Sequence, residues 1–85
     1  MMSYFDFYAF FNQAASEVSG KRFDNLQKTT VISDLGLDSI AVIELVGYLE
    51  EKLHIRIPDE ELAGVLTLGD LDALVRRFTA DKELP

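Results

Sequence analysis

The sequence predicts an all-α fold: a small four-helix bundle with a long loop between helices one and two and a short third helix. Three observations lead there. Apolar residues recur at helical spacing in three separate stretches. No segment alternates long enough to make a strand. The chain has 85 residues, 48% of them apolar, enough for one core and too few for a second domain, so residues 1–85 are expected to form a single domain.

The first helix is expected over residues 3–19, where Tyr4, Phe7, Tyr8, Phe11, Ala14, Ala15 and Val18 share one face. Ser3 is the expected N-cap, and Gly20 stands where a glycine would stop the helix. Phe5 and Phe10 fall off the stripe. Residues 20–37 show no period, a long connection for so small a chain. Phe23, Leu26, Val31, Ile32, Leu35 and Leu37 recur through it, which predicts a loop pinned across the core.

The second helix is expected from Ser39 to Leu53. Val42, Leu45, Val46, Leu49 and Leu53 form its inner face, with Ile40, Glu44, Gly47 and Glu51 opposite. Pro58 restricts its predecessor, so residues 55–57 read as extended. Residues 59–62 make a short helical turn. Thr67 is the expected N-cap of the last helix, with Asp70 three residues on as an acidic capping box. Leu68, Leu71, Leu74, Val75 and Phe78 then point inward.

Charge narrows the function. The chain carries 15 acids against 8 bases, a net charge of −7 that argues against binding a phosphate backbone, so no nucleic-acid partner is expected. Residues 34–61 hold eight acids and only Lys52 and Arg56 as bases, nearly the whole imbalance. Such a surface steers basic partners, although solvated helix faces look the same in sequence. No cysteine is present, which excludes disulfides and thiolate metal sites and suits a reducing, cytoplasmic setting. No basic leader stands at the start, and no apolar run reaches the roughly 18 residues of a membrane span, so no membrane partner is expected. The acids at 50–51 and 59–61 lack the spacing and turn glycine of a calcium loop, and no metal site is expected. His54, near a helix end, reads as structural or solvated.

The informative stretch is residues 34–40, Asp-Leu-Gly-Leu-Asp-Ser-Ile, followed by Glu44-Leu45-Val46, Leu49-Glu50-Glu51, Ile57-Pro58-Asp59-Glu60-Glu61 and Thr67. Here the sequence resembles the acyl carrier protein family, over residues 31–78. The resemblance implies that Ser39 is the attachment point for 4′-phosphopantetheine, donated from coenzyme A by a phosphopantetheinyl transferase. The arm's thiol would hold an acyl group as a thioester, in a chain that has no cysteine of its own. The residues suit that chemistry. A serine at a helix N-terminus sets a phosphodiester beside unpaired amides and the positive end of the helix dipole. On helix signals alone the reading of Ser39 as an ordinary N-cap prevails, with Asp38 equally able to be the cap; the full motif reverses that.

The resemblance further implies a carrier, likewise monomeric, without catalysis of its own. Asp38, Ile40, Glu44, Gly47 and Glu51 would form the docking face for basic patches on acyl-loading, condensing and acyl-transferring enzymes. Val42, Val46 and Leu62 would line a cavity sheltering part of the acyl chain. Acids around one exposed isoleucine suit a transient, charge-steered interface. Fatty-acid, polyketide and related secondary-metabolite pathways all fit. His54, Arg56, Gly47 and the aromatic first helix lean toward a specialised one. An aminoacyl or peptidyl carrier of a nonribosomal pathway is an alternative, as is an unmodified acidic interaction module. A serine hydrolase is disfavoured because His54 stands a helix length from Ser39.

Overall fold

A computed structural model describes residues 6–79. Helix α1 spans Phe7–Ser19, α2 Ser39–Leu53, α3 Asp59–Leu62 and α4 Leu68–Phe78; a 3₁₀ helix, Ile32–Leu35, lies in the connection between α1 and α2. This is the small helical bundle that the periodicity predicts. Phe7, Phe11, Ala14 and Ala15 on α1 pack with Leu45, Leu49 and Leu53 on α2 and with Leu68, Leu71, Leu74 and Val75 on α4. Ala14 and Ala15 are fully buried on α1, which packs chiefly against α2.

The first helix starts later than its apolar stripe suggests. Asp6, not Ser3, is the N-cap: its carboxylate accepts from the amides of Tyr8 and Ala9 at 3.1 and 3.2 Å. Ser3, Tyr4 and Phe5 lie outside the described residues. Gly20 ends the helix in the left-handed conformation, its amide bonded to the Ser16 carbonyl. Phe10, off the stripe, is half-buried with its ring centroid 6.2 Å from that of Tyr48. Phe78, expected inward, is also only half-buried.

The long connection is stitched at both ends. Near its start the Asn12 side chain donates to the Phe23 carbonyl and accepts from the Phe23 amide, both at 2.8 Å. Toward its end it runs antiparallel to the residues leading into α4. The Ile32 amide donates to the Leu66 carbonyl at 3.0 Å, and Leu68 and Gly69 donate to the carbonyls of Thr30 and Lys28, each at 2.9 Å. Val31 and Thr67 face each other across this seam as an isolated bridge. Two amides at the start of α4, which an isolated helix would leave unpaired, thus find partners in the loop.

Ile55 and Ile57 are buried with Arg56 exposed between them, the alternation of an extended segment. The Ile57 amide donates to Glu50 Oε2 at 2.7 Å. Thr67 and Asp70 form the capping box in full. Arg77 and Glu61 pair at 2.9 Å between α4 and α3. Among the described residues, no helix is long and apolar enough to cross a membrane, and no group of acids or histidine could hold a metal ion.

Candidate functional site

Residues 31–38 decide how Ser39 is presented. The 3₁₀ helix ends at Gly36, whose φ of 77° lies in the left-handed region where a side chain is strained. That turn sends Leu37 into the core, 8% exposed, and leaves Asp38 extended at the head of α2. The Asp38 carboxylate then accepts from the Ala41 amide at 2.8 Å, and its carbonyl accepts the first helical bond, from Val42. Asp38 is therefore the cap. Ser39, the first helical residue, is exposed, its hydroxyl relieved of the capping role.

Beside Ser39 opens an apolar cavity of about 470 Å³, within the range of small-molecule pockets. One wall is the face of α2 formed by Val42, Leu45 and Val46; Leu37 and Phe11 lie deeper, with Leu71 of α4. The other wall comes from irregular structure: Ile32 and Ser33 of the 3₁₀ helix, and Leu62, Val65 and Leu66 of α3 and the segment after it. Among the described residues, the only polar side chains on the lining are those of Ser33 and Ser39. Val42, Val46 and Leu62, the three residues named from sequence for a cavity, all stand on it.

Asp38, Ile40, Glu44, Gly47 and Glu51 are all exposed, so α2 brings them together on its outer side. Two further residues escaped the sequence reading. Ile43 and Leu66 are 70% and 66% exposed, comparable with Ile40 at 67%, and both stand on the cavity lining with Ser39. Ile43 had a signal: it breaks the inner stripe of α2 three residues after Ile40. Leu66 had none, since it sits in a segment without period. Glu50 departs from the acidic surface in another way, because its carboxylate bonds to the chain's own Ile57 amide.

The residues suit a phosphorylated arm on Ser39. Its hydroxyl is exposed on the first turn, ahead of the first intrahelical bond, where backbone amides and the dipole favour an anion. The adjoining lining is apolar. No histidine stands near the serine: the one histidine of the chain, His54, caps the opposite end of the 15-residue helix in a left-handed conformation, and the carboxylate of the neighbouring Asp38 is engaged by the Ala41 amide.

Comparisons with known proteins agree with this geometry. A family model described as the phosphopantetheine attachment site matches residues 13–75. The acyl carrier protein of Clostridium perfringens is 37% identical over 65 residues, covering 76% of this chain and 86% of that protein. The meromycolate extension acyl carrier protein of Mycolicibacterium aurum is 39% identical over 47 residues, 55% of this chain and 48% of that one. The crystal structure of an acyl carrier protein from Thermotoga maritima superposes with a TM-score of 0.79 at 34% identity, covering 86% of each chain.

Proposed function

Since the chain belongs to the acyl carrier protein family, carrying 4′-phosphopantetheine and having no catalysis of its own, we propose that Ser39 bears that arm and that the cargo is an apolar acyl chain. The observation that carries the reading is the position of Ser39: exposed on the first turn of α2 and on the rim of an apolar cavity. When bound, the arm supplies the thiol that holds the acyl group as a thioester. The chain's own residues orient the attachment point through Gly36 and Asp38. Val42, Val46 and Leu62 shelter the first part of the acyl chain from water. A lining that, among the described residues, has no charged side chain favours an aliphatic cargo over an aminoacyl one, whose ammonium would lose its hydration there.

Asp38, Ile40, Glu44, Gly47 and Glu51 make the docking face for the transferase and for the enzymes that load, extend and unload the chain. The acids steer the encounter and Ile40 anchors it. The carrier works as a cytoplasmic monomer in a specialised branch of fatty-acid, polyketide or related metabolism. This lean rests on His54 and Arg56 within the acidic stretch, on Gly47 at mid-helix and on the aromatic α1.

The test is intact mass after incubation with coenzyme A and a broad-specificity phosphopantetheinyl transferase. The expected result is one phosphopantetheine adduct on the native chain and none on Ser39→Ala. An adduct that persists in Ser39→Ala, or no adduct with several transferases, rejects the assignment. The loaded thiol is then offered saturated acyl and aminoacyl groups, and the acyl series is expected to be retained longer against hydrolysis.

A further inference from the structure

The chain that follows α1 is held on both sides of one lysine. Gly20 is fixed by its amide, which donates to the Ser16 carbonyl at 3.0 Å. Phe23 is fixed by its amide and its carbonyl, each bonded to the Asn12 side chain at 2.8 Å. Lys21 and Arg22 stand between these anchors, so the backbone of Lys21 has little freedom to move. That anchoring sets Lys21 beside the turn ahead of α2: its Nζ lies 3.7 Å from the point where a Cβ on Gly36 would stand. Lys21 is exposed, and its ammonium makes no hydrogen bond or ion pair with another described residue.

Ser39 follows Gly36 by three residues, so their Cα atoms are at most about 11 Å apart. It stands in the acidic stretch, next to the Asp38 carboxylate. The two bases of residues 34–61 are remote from it: Lys52 lies in the last turn of α2 and Arg56 beyond that helix. A phosphodiester on Ser39 adds one more negative charge to this crowd, and the helix dipole offsets only part of a unit charge. The cation that balances it has to come from another segment, and Lys21 is the one the fold brings to the turn.

We infer that Lys21 is the counter-ion of the phosphodiester on Ser39, its ammonium donating to a non-bridging phosphate oxygen and holding the root of the arm at the turn. The inference rests on the carrier reading and adds to it a residue outside α2. The ammonium rides on a flexible four-carbon stem, which reaches across the turn while the backbone of Lys21 stays anchored. Because the phosphate draws its cation from the chain's own loop, Asp38, Glu44 and Glu51 stay available to the bases of a partner. The Asn12 clamp on Phe23 then has a second use beyond pinning the loop: it keeps the ammonium within reach of the arm.

The experiment is acetylation of the full chain by dilute acetic anhydride, with and without the arm, mapped by mass spectrometry. The reagent attacks neutral amines, so an ammonium held by phosphate reacts more slowly. Phosphopantetheinylation is expected to slow labelling of Lys21 about two- to fivefold, the range of an exposed ion pair, and to leave Lys28 and Lys52 level. The slowing should fade in about 1 M salt. Asn12→Ala, which releases Phe23 and keeps the charge, should lose most of it. In phosphorus NMR the phosphodiester resonance should move in Lys21→Gln and hold its place in Lys21→Arg and Lys28→Gln. Equal labelling of Lys21 with and without the arm, or a resonance indifferent to Lys21→Gln, overturns the inference and leaves the carrier reading standing. Slowing that persists in high salt marks mere shielding by the arm and overturns it likewise. Absence of any adduct on Ser39 overturns both.

Discussion

Helices α2 and α4 share one core and are built to different rules. In α4 the faces separate cleanly: Leu68, Leu71, Leu74 and Val75 are buried, while Ala73, Arg76 and Arg77 face solvent. Its start has a complete capping box and its last turn two arginines, which complement the terminal carbonyls. Helix α2 buries Leu45, Val46, Leu49 and Leu53 as firmly, but it exposes Ile40 and Ile43 and carries Gly47 at its middle. It ends on His54 at φ 58°, where glycine would be less strained. The departures of α2 from a stable amphipathic helix fall mostly on the side next to Ser39. A helix serving stability alone resembles α4; the irregular side of α2 is where function is sought.

The largest expected effect lies in α4. Leu68→Ala, at a fully buried position, should lose about 2–5 kcal/mol in urea unfolding. A loss no larger than that of an α2 surface variant would erase the contrast between the helices. Thr67→Ala removes one half of the capping box and should cost about 1 kcal/mol. The other half titrates. Backbone amides of Thr67 and Leu66 hold the Asp70 carboxyl below its ordinary value. Its stabilising effect is therefore present above the unfolded-state pKa and is lost as pH falls through the lower folded value. Stability measured from neutral to acid pH should fall less steeply in Asp70→Asn than in the native chain.

For α2 the signs change. Gly47→Ala should raise stability by about 0.5–1 kcal/mol, because a Cβ there meets nothing within 4 Å. Under the proposed function the same change should alter transfer rates with at least one partner, and a stabilised variant with unchanged kinetics would remove Gly47 from the docking face. The smallest effect on stability belongs to Ile43→Ser, expected within about 0.5 kcal/mol at an exposed site. Its signature would be slower acyl transfer and faster thioester hydrolysis, measured side by side.

Much of this was legible in the sequence, for reasons that differ by segment. Ser39 to Leu53 could be bounded because its inner stripe keeps the helical period and a cap precedes it. Thr67 and Asp70 announced α4 by their spacing. The start of α1 was misplaced by aromatic residues that extend the stripe beyond its cap; Asp6, which interrupts the run, was the better marker. The 3₁₀ helix and the seam were not legible, since the pairing of Val31 with Thr67 joins residues 36 apart and leaves no local period. Of the candidate site, the place of Ser39 at the head of α2 and of the α2 residues beside it was readable from a motif and one helix face. Leu66 and Ile32 were not, because their place on the cavity depends on that distant pairing.

The bond between Glu50 and the Ile57 amide separates two quantities that a charge count merges. Seen from a distance, Glu50 adds to the field around α2 like any other carboxylate, and speeds the approach of a cationic partner. At contact it stands apart, because meeting a lysine would mean releasing an amide held at 2.7 Å. Under the proposed function, the ionic-strength dependence of association should therefore register Glu50 although a map of touching residues omits it. Glu44 and Glu51, exposed on the same helix, should appear in both.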